Sequence, residues 1–119
     1  MKKKYLLFLI LTIVLSVSGC GNKITYSENL PYLPLHKNMT LETFEEPKTE
    51  EELAKSIYAI SGTSFDDFLN EYEEIFHEDG WETTLDNKPN MLTVQKKDHE
   101  ATVIIYEKEG ALKAEIMSK

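Results

Sequence analysis

The chain has 119 residues, one cysteine, no arginine and a formal net charge of −8 at pH 7. This length suits one domain and is too short for two lobes that close on a solute. Nucleic acid is a poor partner for such a chain, because recognition of phosphate and guanine relies on a basic surface and on arginine side chains.

The first 19 residues have the three parts of a secretory signal peptide. Three lysines follow Met1, the uncharged run YLLFLILTIVL occupies residues 5–15, and small residues fill most of 16–19. A membrane-spanning helix needs about 20 apolar residues, and this run is shorter. A core helix would have a polar face, which this run lacks. We therefore predict a cleaved signal peptide over residues 1–19.

The only cysteine follows directly, in the sequence VSGC at residues 17–20. These residues resemble a bacterial lipobox, in which an aliphatic residue and two small residues precede a cysteine. The resemblance implies that the thiol of Cys20 carries diacylglycerol, with fatty acids such as palmitate, and that Cys20 becomes the first mature residue. A free cysteine beside an ordinary cleavage site is the alternative. Two buried acyl chains hold a protein stably on a membrane, whereas one chain holds it marginally.

We therefore predict a lipoprotein anchored at Cys20 on the outer, extracytoplasmic face of the cell membrane. Acylation would use the only thiol, so the mature protein would have neither a disulfide nor a catalytic cysteine. Cleavage would leave 100 residues with ten lysines and 21 acidic residues, a net charge of −11. A domain this acidic is expected to stand off from anionic lipid, which attracts basic segments.

Residues 20–38 are predicted to be a lipidated N-terminus and an extended stalk, and residues 39–119 a single domain. Pro31 and Pro34 favour extended backbone, and the segment shows no helical period. The first part of the stalk is expected to be mobile. The stretch LPYLPLH at residues 30–36 either packs on the domain through its leucines or acts as a proline-rich ligand for a partner.

The domain is predicted to begin with a strand in MTLETF at residues 39–44, where polarity alternates. The next segment is ambiguous. Thr49 and Glu52 form a capping box for a helix, whereas the SIYAIS that follows is rich in strand-forming residues. We favour a turn at 47–52 and a strand near 55–60.

The most regular period lies in SFDDFLNEYEEIFHED at residues 64–79. Ser64 can cap the first turn, and Gly80 can end the helix in a left-handed conformation. The pattern predicts an amphipathic helix. Its apolar stripe consists of Phe65, Phe68, Leu69, Tyr72, Ile75 and Phe76.

After the helix the hydrophobic period changes to two, which is typical of strands separated by turns. Trp81, Thr83 and Leu85 are expected on one face of the first strand. We predict an α+β fold: an antiparallel sheet of about five to six strands with one amphipathic helix packed on one face. The four strands after the helix are predicted at residues 81–85, 91–96, 101–107 and 111–118. The expected helix-facing core residues are Leu92, Val94, Val103, Ile105, Leu112 and Ile116.

The stretch SFDDFLNEYEEIFHEDGWETT at residues 64–84, preceded by LPLH and followed by two predicted hairpins, resembles small exported bacterial lipoproteins of unknown function. These carry a proline near the mature start, an aromatic helix that ends in Gly-Trp, and four strands. The resemblance implies the fold and names no reaction. Trp81 is expected to pack over the end of the helix, with a role in partner binding as the alternative.

Acidic residues are concentrated in the middle of the chain, because no lysine lies between Ser56 and Asn87. On the helix, four of them form a candidate partner-binding acidic face that could meet a cationic protein or peptide: Asp67, Glu71, Glu74 and Glu78. The alternative is a solvated helix face that keeps the domain soluble. A face of mixed sign would gain stabilising pairs four residues apart, and this face forgoes them.

The sequence predicts no metal site and no cofactor. Glu74 and His77 have the spacing of a ligand pair, which Glu73 could join, but such sites need a second helix that contributes further ligands. The three histidines, His36, His77 and His99, lie on separate predicted elements. A catalytic triad with Ser61 or Ser64 would depend on tertiary contacts, and no nucleophile elbow or phosphate loop occurs.

From these observations we predict that the chain is not an enzyme. The leading hypothesis is a membrane-anchored lipoprotein that acts as an accessory or inhibitory module and binds a protein or peptide, through its acidic helix face or the uncovered face of the sheet. A lipoprotein that senses a small ligand or cation is the second hypothesis. The third is a small hydrolase that acts on envelope material.

Overall fold

The computed structural model describes residues 23–119. The predicted signal peptide and Cys20 therefore lie outside the described residues. The elements in chain order are β1 (Thr25–Tyr26), β2 (Pro34–Leu35), β3 (Met39–Glu45), β4 (Ala54–Ile60), α1 (Phe65–Glu78), β5 (Glu82–Asn87), β6 (Met91–Lys96), β7 (His99–Lys108) and β8 (Ala111–Ser118).

Six strands form one antiparallel sheet with the spatial order β3-β4-β8-β7-β6-β5, and β1 and β2 form a separate two-stranded sheet. The α+β prediction, with one helix on an antiparallel sheet, is confirmed. The ambiguous segment before the helix is a strand, β4, in which every second residue is buried. No helix within residues 23–119 is long and apolar enough to cross a membrane.

The core lies between the helix and the inner face of the sheet. Alternate residues of β4, β6, β7 and β8 point inwards, as the two-residue period of a strand requires. Five of the six core residues expected from the sequence are buried, and Leu112 is partly buried against them. The helix contributes its own fully buried stripe, which consists of Phe68, Leu69, Tyr72 and Phe76.

The helix begins and ends as its sequence predicts. The Ser64 side chain accepts a hydrogen bond from the backbone N–H of Asp67 at 3.2 Å. At the other end Gly80 has a φ of +93°. The Trp81 N–H donates to the Phe76 carbonyl at 2.9 Å, and the two rings meet edge to face at 5.4 Å. This is a Schellman end with its hydrophobic contact, so Trp81 is a core residue that closes the helix.

The N-terminal segment, residues 24–38, forms a strap across the domain. Leu33 is fully buried, and the Ser27 N–H donates to its carbonyl at 2.9 Å. The buried Tyr72 hydroxyl donates to the Pro34 carbonyl at 2.7 Å, and Tyr32 shares a hydrogen bond with Ser118 of β8 at 2.9 Å. Most of the predicted stalk therefore lies on the domain, because its apolar side chains complete the core.

Strand β5 differs from its prediction in one respect. Thr83 lies opposite Val94, but a bulge follows, and Leu85 then lies opposite Thr93. The extra residue turns Leu85 to the outer face, where its exposed fraction is 47%, while Trp81 and Thr83 face inwards. The expectation that these three residues share a face is wrong, because a bulge shifts the alternation by one residue.

Candidate functional site

A groove of about 500 Å³ runs between helix α1 and the strap. The helix contributes Glu71, Glu74, Ile75 and Glu78, and the strap contributes the rest of its walls except Lys23 and Gly62. The strap residues that line it are Ile24, Thr25, Leu35, His36, Lys37 and Asn38. The floor is partly apolar and the helix wall is acidic. This helix–strap groove is the candidate functional site.

Three of the four acidic residues expected at a partner site lie along this groove. Glu71, Glu74 and Glu78 are spaced by three and four residues, so they share one flank of the helix. All three are exposed. Asp67, the fourth residue, is exposed in the first turn and does not line the groove. Its carboxylate suits the positive end of the helix dipole.

Glu71 has a structural contact as well as a place in the groove. The buried His36 ring lies 2.8 Å from it through Nε2, and His36 Nδ1 accepts the Asn38 backbone N–H at 3.0 Å. Since Nδ1 is an acceptor, Nε2 carries the proton and donates it to Glu71. Thr63 donates to the other carboxylate oxygen at 3.3 Å. Glu71 therefore fastens the strap to the helix.

Glu74 and Glu78 differ from Glu71. Within residues 23–119, neither carboxylate makes a hydrogen bond or ion pair with another side chain. A groove that contains two carboxylates without partners beside apolar side chains can accept a ligand that carries positive charge. Lys23 and Lys37 lie on the same groove and temper its negative potential.

On the opposite flank of the helix, the carboxylate of Glu73 is bound to other side chains of the domain. Glu73 accepts hydrogen bonds from Lys88 and from the Thr83 hydroxyl, and His77 Nε2 lies 2.9 Å from the same hydroxyl. Burial alone would raise the pKa of Glu73, but the hydrogen bonds from Lys88 and Thr83 and the charges of Lys88 and His77 lower it. The hydrogen bond to Glu73 raises the pKa of Lys88 in turn.

This arrangement separates the residues that had the spacing of a metal-ligand pair. Glu74 lines the helix–strap groove, whereas His77 and Glu73 contact Thr83 on the opposite flank. Among residues 23–119, no group of three or more histidine, cysteine, aspartate or glutamate side chains is arranged to hold a metal ion.

A further carboxylate, Asp79, joins the strap to the end of the helix. It accepts hydrogen bonds from the Tyr26 hydroxyl at 2.6 Å and from the Trp81 indole at 3.0 Å, and Lys96 lies 3.4 Å away. The hydrogen bond to Asp79 is the main reason that the pKa of Tyr26 is raised, with smaller contributions from burial and from the negative charge.

The histidines and serines do not form a catalytic group in the part of the chain that the structure describes. His36 and His77 have the partners given above, and His99 stacks on Tyr32 with ring centroids 3.8 Å apart. Ser64 serves as the helix cap, and no described serine hydroxyl lies within hydrogen-bond distance of a histidine ring. These contacts have structural roles.

The outer face of the sheet is the second surface predicted from the sequence to bind a partner. Half-buried apolar residues lie on it, but charged residues interrupt them. Lys55 lies 3.9 Å from Glu115, and Lys113 lies 2.6 Å from Glu42. Both edge strands, β3 and β5, carry bulges and acidic side chains, which discourage pairing with another sheet.

Sequence reasoning identified the acidic wall of the groove and missed the opposite wall. Leu35, His36 and Lys37 lie in the predicted stalk, although the leucines of LPYLPLH also indicated packing on the domain. Comparison with protein-family models, with curated proteins and with solved structures gives no match.

Proposed function

We propose that this protein is a lipid-anchored, extracytoplasmic binding module that holds a cationic segment of a protein or peptide in the helix–strap groove. It acts as an accessory or inhibitory component and carries out no reaction of its own. The lipid on Cys20 holds it at the outer face of the membrane.

One observation carries the binding proposal. Glu74 and Glu78 extend into a groove with apolar side chains and have no partner among the described side chains, whereas Glu73 on the other flank is paired with Lys88. A carboxylate whose only role is to keep the domain soluble needs no groove beside it. Carboxylates beside Leu35 and Ile75 suit a ligand that presents lysine or arginine next to apolar residues.

The binding experiment uses a ten-residue peptide in which lysine alternates with leucine. Its affinity is measured by calorimetry for the wild type and for the double variant Glu74→Gln, Glu78→Gln. Each exposed ion pair contributes about 0.2–1 kcal/mol, so the double variant is expected to bind about 2- to 30-fold more weakly. Binding by the wild type should also weaken as the salt concentration rises.

The matched control is Glu50→Gln, Glu51→Gln, which removes the same charge from two exposed residues outside the groove. Its affinity should stay close to that of the wild type. If both double variants lose affinity equally, the effect comes from net charge and the groove is not the site. A peptide in which glutamate replaces lysine should not bind.

The anchor has its own test. Mass spectrometry of the mature N-terminus is expected to show a diacylglyceryl Cys20, and Cys20→Ser should release the protein from the membrane fraction. An unmodified Cys20, or a chain that retains residues 1–19, would contradict the anchoring proposal and leave the groove proposal intact.

The size of the groove also supports a second candidate, the binding of a small ligand. Its volume of about 500 Å³ falls within the usual range for ligand sites. A small cationic ligand would raise the melting temperature of the wild type and not that of Glu74→Gln, Glu78→Gln. A flat response across a screen of polyamines and other cationic metabolites would dismiss this candidate.

A further inference from the structure

The strap ties the lipid-bearing end of the chain closely to the domain. Strand β1 begins at Thr25 and pairs with β2, so that Thr25 lies opposite Leu35. Tyr26 is fixed by its hydrogen bond to Asp79 at 2.6 Å. Lys23, two residues before Thr25, already lines the helix–strap groove. Lys23, a residue of the groove, is therefore only three residues from Cys20 along the chain.

Covalent geometry then limits how far the domain can lie from the lipid. Consecutive Cα atoms are about 3.8 Å apart, so the three steps from Cys20 to Lys23 span at most about 11 Å. A lipid anchor on Cys20 holds that residue at the bilayer surface. The edge of the groove at Lys23 therefore lies within about 11 Å of the bilayer surface, which is about the diameter of one helix.

We propose that the short tether turns the helix–strap side of the domain towards the bilayer, so that the groove opens at the membrane surface and its partner is a cationic extracytoplasmic segment of a protein held in the same membrane. The outer face of the sheet then points away from the membrane. This inference rests on the proposed anchor and groove, and it specifies where the partner must lie.

Charge favours a protein partner over the lipid itself. The groove presents Glu71, Glu74 and Glu78 against Lys23 and Lys37, and the chain from Cys20 onward has 21 acidic residues and ten lysines. Anionic headgroups attract basic segments and repel a surface of this sign. A lysine-rich segment beside a transmembrane helix has the complementary charge and reaches the groove without leaving the membrane surface.

The orientation is tested on vesicles, independently of whether cells acylate the protein. The chain from Cys20 to Lys119, which includes the whole described fold, is coupled through Cys20 to a short-spacer maleimide lipid in phosphatidylcholine vesicles. Lysines are then labelled with a water-soluble acetylating reagent and quantified by mass spectrometry. Coupling should slow the labelling of Lys23 and Lys37 several-fold. Lys55 on the outer face, whose side chain is 42% exposed, should be unaffected.

The matched control inserts a flexible Gly-Ser linker of twenty residues after Asn22. Such a linker spans about 25 Å on average and releases the domain from the surface. Labelling of Lys23 and Lys37 should return to the rate of the uncoupled protein. Equal protection of Lys37 and Lys55, or no difference between the short and long tethers, would overturn the proposed orientation.

The partner is tested in the same vesicles with a hydrophobic transmembrane peptide that carries four lysines on the outer side. Energy transfer between fluorophores on the peptide and on the coupled domain should show capture, and Glu74→Gln, Glu78→Gln should weaken it. Binding of the Cys20→Ser chain to protein-free phosphatidylglycerol vesicles would make lipid the partner and overturn the inference. If the soluble lysine–leucine peptide binds but neither vesicle result appears, the groove proposal stands and its placement at the membrane fails.

Discussion

The two flanks of helix α1 are held to the rest of the domain by different kinds of interaction. On one flank the strap packs against it through buried Leu33 and through the Tyr72–Pro34 hydrogen bond. On the other flank the β5–β6 hairpin pairs with it through Glu73 and Lys88. The strap flank is held mainly by apolar burial, and the hairpin flank by charged hydrogen bonds.

This difference separates acidic residues that look equivalent in the sequence. Glu73 and Glu74 are neighbours on the same helix, yet the Glu73 side chain is 13% exposed and paired, whereas Glu74 is exposed in a groove. The strap flank uses Glu71 to bind His36 and leaves Glu74 and Glu78 available for a ligand. The hairpin flank uses Glu73 for its pair with Lys88.

The largest expected effect is on the strap flank. Leu33→Ala should lower the free energy of unfolding by about 2–5 kcal/mol, because it removes a fully buried side chain and leaves a cavity. Urea denaturation measures the change. Leu85→Ala, the same substitution at a residue that is 47% exposed, should change stability by less than about 0.5 kcal/mol. Similar small effects at both leucines would mean that the strap is a free stalk.

Substitutions at two adjacent glutamates test how the hairpin flank is held. Glu73→Gln should cost about 1.5–3 kcal/mol at neutral pH, because hydrogen bonds from Lys88 and Thr83 lose their charged acceptor. Glu74→Gln should change stability by less than about 0.5 kcal/mol. Denaturant midpoints of the two variants measure the contrast. Equal costs would contradict the division between the flanks.

The contribution of Glu73 to the free energy of unfolding depends on pH. The pKa of Glu73 is lowered from the ordinary value of 4.5, so its contribution to stability is fully present well above that pH. It is lost as the pH falls through the lowered pKa, because the carboxyl then binds a proton in the folded state too. The stability difference between the wild type and Glu73→Gln should therefore shrink below pH 4.5. A difference that stays constant down to pH 2 would show that the charge is not involved.

The smallest expected effect lies where the two flanks meet, at Asp79. Asp79→Asn removes the charge that Tyr26 faces, so the raised pKa of Tyr26 should fall towards 10.0. NMR of the tyrosine ring carbons as a function of pH measures it. Asp98→Asn, at an exposed residue in the β6–β7 turn, is the control and should leave the pKa of Tyr26 unchanged. If neither variant moves it, Tyr26 does not contact Asp79 in solution.

Local patterns predicted the elements well, for reasons visible in particular residues. Ser64 begins the helix and Gly80 ends it, and each does so through contacts with residues close to it in the chain. Alternating polarity correctly predicted the ends of strands β6 and β8. The β5 bulge was missed because nothing in WETTL distinguishes an inserted residue from regular alternation. The strap was assigned to a stalk because prolines and short apolar runs fit both a linker and a segment packed on a domain.

The sequence by itself therefore determined the fold class, the helix and the pairing of neighbouring strands, since hydrophobic period and capping depend on nearby residues. Only the tertiary structure decided which carboxylates are paired and which line a groove. Those partners lie far away along the chain: 15 residues for Glu73 and Lys88, 35 for Glu71 and His36, and 53 for Asp79 and Tyr26. No local pattern encodes such distances, because they are set by how the strap and the hairpin pack around the helix.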